Sequence, residues 1–176
     1  MKFRPEARLV LFALLCTGCD NTPPLAVVPR VDIPRFMGDW YVIASIPTSI
    51  ERRAYGALES YRLAPDGHVL TTFTFREGSF DGPAKRYTPV GFIDSASHGA
   101  VWGMRFVWPL RADYRVMYVD PDYTQTVIGR RARDYAWIMA RAPQISAEDY
   151  GRLVRLLAGA GYDVTALRRV PQRPAP

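Results

Sequence analysis

From Trp40 to Ala140 one pattern recurs: a short stretch rich in Val, Ile, Thr, Tyr, Phe and Trp, then a cluster of Gly, Pro, Asp or Ser, at intervals of about eight to twelve residues. Eight such stretches can be read, at Trp40–Ile46, Tyr55–Leu63, His68–Arg76, Lys85–Asp94, Ala100–Trp108, Tyr114–Val119, Thr124–Gly129 and Asp134–Ala140. The connections are turn chemistry: "APDG", "FIDSASHG" and "VDPDY" put proline at a second turn position and glycine or aspartate where the backbone reverses. Short strands at this spacing mark an antiparallel barrel or sandwich.

One helix follows. Ser146 opens "SAED" as a capping box, Ile145 and Tyr150 are placed as a hydrophobic staple, and Tyr150, Leu153, Val154 and Leu157 recur at helical spacing until Gly159 or Gly161 stops the run. A single amphipathic helix after eight strands fits a closed barrel with the helix on its outer wall better than it fits a sandwich. The expected fold is all-β: an eight-stranded antiparallel up-and-down barrel over 35–142, with one C-terminal α-helix and a closing segment over 143–176. At 176 residues, 48% hydrophobic and 12% aromatic, the chain is long enough for one such core and too short for two large domains.

Ahead of the barrel the composition changes twice. "MKFRPEAR" is basic, and "LVLFALLC" is an apolar run too short to span a bilayer, which needs about 20 residues, so residues 1–18 read as an export signal. Its end, "CTGCD", resembles the lipobox of bacterial lipoproteins and implies cleavage before Cys19 with a diacylglyceryl group on its thiol; an ordinary secretory signal that leaves Cys19 free is the alternative. Cys16 and Cys19 are the only cysteines, so the mature fold has no disulfide. Two or three acyl chains, at about 0.8 kcal/mol per buried methylene, would hold the domain on a membrane. Residues 19–34 carry four prolines and read as a tether that, at about 3.1 Å per residue, reaches roughly 45 Å. Loss of Lys2, Arg4, Glu6 and Arg8 takes the net charge from +6 to +4. That balance suits an anionic membrane surface or anionic ligands, and without a basic tract nucleic acid is not an expected partner.

Strand parity gives the inward set. Val69, Thr71, Phe73 and Phe75 share one face of the third stretch, Trp102, Met104 and Phe106 of the fifth, Tyr114, Val116 and Tyr118 of the sixth, and Tyr135, Trp137 and Met139 of the last. These sets are large, aromatic and hydroxylated, whereas a filled small barrel favours branched aliphatics. An eight-stranded barrel is just wide enough to hold one small ligand, and the lining favours that case over self-filling.

"GDWY", "DPDY" and the closing "WIMAR", in this order and spacing, resemble the three signature regions of the lipocalin family, and "RDYAWIMARAPQIS" is similar to its bacterial members, themselves lipoproteins. The resemblance covers about residues 33–170. It implies that Gly38 and Trp40 open the first strand, that Asp120 to Tyr123, with Asp122 and Tyr123 as signature residues, form the turn between the sixth and seventh, and that Arg141 ends the eighth. Trp40 then plugs the closed end with Arg141 across its indole, a contact worth about 0.5–2 kcal/mol. These are fold residues. Parity from Trp40 and Arg141 turns Val42, Ala44, Tyr135, Trp137 and Met139 inward, and counting from Tyr61 adds Ala57 and Glu59. The ligand-binding candidates are Glu59, Tyr61, Thr71, Phe73, Phe75, Trp102, Met104, Phe106, Tyr114, Val116, Tyr118, Tyr135 and Trp137. Glu59 is the odd member: a carboxylate among aromatics must be paired, neutral or used by a ligand, unless a slight bulge turns it to solvent.

The implied ligand is a small hydrophobic molecule, for bacterial members a fatty acid or lysophospholipid, stored or transported for envelope maintenance or stress. The implied location is the cell envelope, in the outer membrane facing the periplasm, although Asp20 after the modified cysteine favours the inner membrane in enteric bacteria. Arg52, Arg53, Lys85, Arg86 and Arg111 near strand ends could meet a phospholipid headgroup, and a homodimer is left open. No cofactor, metal or catalytic residue is expected: His68 and His98 sit singly in turns, and HExxH, GxSxG and phosphate-loop patterns do not occur. Isomerases of this fold use a cavity cysteine, and here the mature cysteine is the lipid anchor. A further reading is a surface interaction lipoprotein with a filled barrel and exposed apolar patches.

Overall fold

Strands form where turn residues release them. The computed structural model describes residues 23–174; the expected export segment and Cys19 lie outside the described residues. β1 (Gly38–Ile46), β2 (Ala54–Leu63), β3 (Val69–Glu77), β4 (Ala84–Tyr87), β5 (Val90–Ile93), β6 (Val101–Val107), β7 (Leu110–Val119), β8 (Gln125–Gly129) and β9 (Ala136–Ala140) run up and down, and β9 returns to β1 to close the barrel. β4 and β5 both pair with β3 and together make one stave of eight. The stretch expected as one strand over 85–94 breaks before Pro89, which has no N–H for the ladder and whose carbonyl instead accepts from the Thr71 N–H at 3.1 Å.

Strand direction sorts the loops. Those at 47–53, 78–83, 108–109 and 130–135 gather at the open end, and those at 64–68, 94–100 and 120–124 at the closed end, beside Trp40. α1 (Ile33–Phe36) crosses the closed end. Asp32 caps it by accepting from the Arg35 N–H at 3.2 Å, Pro34 sits in its first turn, and Phe36 is wholly buried.

α2 (Ala147–Gly159) starts from Ser146, whose Oγ accepts from the Asp149 N–H at 3.0 Å and donates to the Asp149 carboxylate at 2.8 Å. Leu153 and Leu157, about one turn apart, are buried against the outer wall with Val127 and Ile138. Beyond the helix the Tyr162 hydroxyl accepts from the Arg130 N–H at 2.7 Å and donates to the Arg130 carbonyl at 2.8 Å. A Cβ at Gly129 would occupy the place of that hydroxyl.

Two of the wall's register shifts change which residues face inward. In β1 the register shifts between Val42 and Ala44, so Val42 pairs with inward Met139 while Ala44 pairs with outward Ile138. Ala44, expected inward, therefore lies under α2, and Ser45, opposite Trp137, takes the inward place instead. In β7 the register shifts between Val116 and Tyr118. Tyr118 pairs with outward Val127, contrary to the expected lining role, and its ring lies 5.1 Å from the Arg152 guanidinium on α2.

The proline-rich run is not a free tether from Pro23 onward. Leu25 and Val31 are buried, the Val28 N–H donates to the Val116 carbonyl at 3.0 Å, and the Val31 N–H donates to the His98 carbonyl at 3.0 Å. The segment descends the outside of the barrel from the open end, where Arg133 donates to the Pro23 carbonyl at 2.8 Å. The chain's other end seals a seam. β1 and β2 pair only through Gly38–Tyr41, and β10 (Arg168–Arg169) joins β1 above that point. Past it the Gly56 N–H donates to the Pro171 carbonyl at 2.8 Å, and Gln172 Nε2 donates to the carbonyls of Val42 at 2.8 Å and Ala57 at 3.0 Å.

Candidate functional site

The closed end is built on Trp40. Its side chain has no exposure, its indole N–H donates to the Phe36 carbonyl at 2.8 Å, and the Arg141 guanidinium lies 3.8 Å over the ring. Arg141 also donates to the carbonyls of Asp39 at 2.7 Å, Arg35 at 2.8 Å, Met37 at 2.7 Å and Tyr123 at 3.2 Å, binding β1, α1 and the β7–β8 turn together. Gly38 has φ +91°, and a Cβ there would sit 3.3 Å from the Arg141 guanidinium. Tyr123 accepts from the Asp32 N–H at 2.7 Å. In the same turn Asp120, which accepts from the Thr124 and Gln125 N–H groups at 2.7 Å each, holds the geometry. Asp122 lies in the same turn, exposed and without a hydrogen bond among the described residues.

Above this plug the rings stack. Phe36 contacts Trp40, Tyr61 and Trp102, and Trp102 stacks on Tyr114 at 5.0 Å. The Tyr61 and Tyr114 hydroxyls are hydrogen-bonded at 2.8 Å. Thr71, Trp102 and Val116, expected as lining, are buried in this packed part of the interior, whereas Phe75, farther toward the open end on β3, is buried beside Phe73 and stacks on Tyr87. The lower barrel is thus filled by its own side chains.

The upper barrel is open. A cavity of about 90 Å³ is lined by Glu59, Tyr61, Phe73, Met104, Phe106, Tyr114, Tyr135 and Trp137 from the expected set, with Phe106 half-exposed at the rim. At roughly 10–15 Å³ per water, such a space takes a few waters or the end of one unbranched chain. The sequence reading missed several liners from loops and bulged positions, among them Ile50, Glu51, Asp113, Ile128 and Arg130. Ile50, Glu51 and Arg130 lie in loops, which strand parity does not address; Asp113 and Ile128 are on β7 and β8, where the inward faces are read only from Tyr114 onward and not at all, respectively.

Three carboxylates line this space: Asp113 is paired with Arg115 at 2.9 Å, and the two glutamates differ in their partners. Glu51 is buried and satisfied: it accepts from the Thr48 N–H at 2.9 Å and from the Trp137 indole N–H at 3.0 Å. Glu59 faces the cavity, opposite Trp40 in the ladder, and its Oε2 has no partner among the described residues. Burial pushes its pKa up to about 7, opposed by the neighbouring Tyr61 hydroxyl and reinforced by the Glu51 charge. The same desolvation raises the Tyr61 and Tyr114 phenols, so both remain hydrogen-bond donors at neutral pH.

The cations are arranged differently from expectation. Arg52 and Arg53 are exposed at the open end, Lys85 is paired with Glu77 at 3.1 Å, and Arg86 is exposed on β4. Arg111 lies 3.8 Å over Phe92 on the outer wall. The cation on the cavity is Arg130, which pairs with Asp134 at 3.1 Å and stands over Tyr135, with its Nε buried and unpartnered. His68 is held by Asp66 at 2.8 Å, and no group of three His, Cys, Asp or Glu suited to a metal occurs among the described residues.

A family model described as a lipocalin-like domain matches residues 31–172. Temperature-induced lipocalin-1 of Arabidopsis thaliana is 34% identical over 164 residues, covering 86% of this chain and 85% of that protein. The outer membrane lipoprotein Blc of Citrobacter freundii is 28% identical over 175 residues, covering 98% of each. Among solved structures, insecticyanin of the tobacco hornworm Manduca sexta matches with a TM-score of 0.68 at 13% identity over 86% of each chain. Apocrustacyanin C2 matches at 0.65 and 9% identity over 81% of this chain and 80% of the other. These two likenesses concern the fold.

Proposed function

The chain belongs to the lipocalin family and is of the bacterial type, and from that premise we propose that it binds a fatty acid or lysophospholipid in the upper barrel while anchored to the cell envelope through a lipid on Cys19. The observation that carries this reading is the cavity: apolar and aromatic on its walls, narrow, open at one end, and served at the rim by Arg130 with an unpartnered Nε. A tail would descend toward Glu59 and an anionic head would remain beside Arg130, where a charge-assisted hydrogen bond is available. Glu59 accommodates a tail best when neutral, since an ionised carboxylate beside hydrocarbon is costly. The envelope location is supported by the likeness to an outer membrane lipoprotein, and we place the protein in the outer membrane, storing or carrying lipid there.

We read the protein as a carrier and not an enzyme. Among the described residues the cavity presents carboxylates, phenols and a guanidinium but no cysteine or histidine to act as nucleophile or base. Competition titration with a fluorescent fatty acid tests the reading. Displacement by palmitate or lysophosphatidylglycerol, weakened about tenfold in Arg130→Gln, is expected; absence of binding in both proteins would favour the surface-interaction reading. That second reading draws support from the exposed apolar tip at the open end.

A further inference from the structure

The β6–β7 hairpin ends in an apolar tip that nothing covers among the described residues. Trp108 is 78% exposed, Leu110 74% and Val107 68%, and Phe106 beside them is shared with the cavity rim. The tip also projects. β8 ends at Gly129, opposite Arg115, whereas β7 continues to Leu110, five residues farther, or about 16 Å at strand rise. Four large apolar residues held together in water on a hairpin that outruns its neighbouring strand are an interaction surface that needs an occupant.

Three observations identify that occupant as an anionic lipid bilayer. The first is charge. The open-end loops carry exposed Arg52, Arg53 and Arg131 without ion-pair partners among the described residues, while the closed-end turns carry Asp66, Asp94, Asp120 and Asp122. The molecule is polarised along the barrel axis, positive where the tip is. The second is the chain's path: Pro23, where the described chain begins, is fixed at the open end by Arg133. The third is continuity, because Phe106 joins the tip to the cavity rim, with Ile50 across the mouth. A second copy fits less well, since tip-to-tip pairing would bring like-charged arginines together.

We propose that the open end docks on an anionic membrane surface, with Val107, Trp108 and Leu110 inserted among the acyl chains and the cavity mouth facing the lipid. This goes beyond the ligand reading and holds whether the cavity is empty or filled. Arg52, Arg53 and Arg131 sit at headgroup level, and Trp108 occupies the interfacial position that amphipathic rings favour.

The test uses the full chain on vesicles of phosphatidylglycerol and phosphatidylcholine with brominated acyl chains, and reads tryptophan fluorescence. Trp40 and Trp102 are buried and Trp137 lines the cavity, so the quenching lost in Trp108→Phe reports the tip alone. Brominated lipid inside the cavity would act on Trp137 equally in both proteins, which separates this test from the ligand reading. Most of the quenching is expected to vanish in Trp108→Phe, to fall on the order of tenfold in Leu110→Asp, and to be stronger on anionic than on pure phosphatidylcholine vesicles. Equal quenching of wild type and Trp108→Phe would overturn the proposal, and equal insertion into neutral vesicles would overturn the role given to the arginines. If Leu110→Asp instead converts a dimer to a monomer and bromine never reaches Trp108, the tip is a contact between copies and the membrane proposal falls.

Discussion

Replacing Trp40 by alanine would remove a fully buried indole, the hydrogen bond to Phe36 and the platform under Arg141. A loss of about 3–5 kcal/mol is expected from the cavity left behind. Because Trp40 sits below the filled aromatic layer and does not line the cavity, ligand preference should stay as it is in whatever fraction remains folded; chemical denaturation and competition binding on the same sample check both halves. Glu59 makes the opposite kind of prediction. Its carboxyl titrates near 4.5 unfolded and near 7 folded, so the native state holds a proton that the unfolded state releases between those values. Rising pH therefore removes stability across pH 4.5–7, at most on the order of 3 kcal/mol, and the loss levels off above 7. Glu59→Gln should flatten this dependence, so unfolding free energies of the two proteins, nearest at pH 4.5, should diverge in the variant's favour up to pH 7. Parallel curves would mean that Glu59 is not desolvated as described.

At the scale of elements, the C-terminal strap does work that its two-residue strand conceals. β1 and β2 separate above Tyr41, and Val170, Pro171 and Gln172 supply the hydrogen bonds the two strands do not give each other. Truncation after Leu167 removes these four hydrogen bonds, the Arg168 donation to the Ala54 carbonyl and the β1–β10 pairing, and should cost on the order of 5 kcal/mol at about 1 kcal/mol per bond, with some burial of Val170 set against entropy regained. Hydrogen exchange at the Gly56 amide would report it directly, with protection expected in the whole chain and lost in the truncated one. Elements were also where the sequence was most and least legible. The eight staves, the Ser146 cap and the Leu153 and Leu157 face follow from punctuation and period alone. Tyr118 and Ala44 could not be placed that way, because a one-residue bulge inverts parity and nothing in "YRVMYV" or "YVIASI" announces one. Arg130 was invisible for a different reason: its role comes from a loop folded over the mouth. Asp120 and Asp122 are chemically equivalent in "DPDY", and only the turn geometry separates the one that caps from the one in solvent.

The whole molecule has two ends with different tasks. The closed end is stapled by Arg141 and carries the acidic turns; the open end carries the arginines, the apolar tip, the cavity mouth and the start of the described chain. In a lipocalin that handles membrane lipid, this polarity would let one surface find the bilayer and the same surface receive the cargo. The central claim is that the upper barrel holds a hydrophobic ligand, and native mass spectrometry of the protein purified without detergent, followed by lipid extraction, tests it most directly. We predict an added mass matching one fatty acid or lysophospholipid, lost when Met104 or Tyr114 is exchanged for a side chain that blocks the cavity. A protein that flies only at its bare mass, and stays bare after incubation with palmitate and lysophospholipid, would contradict the account.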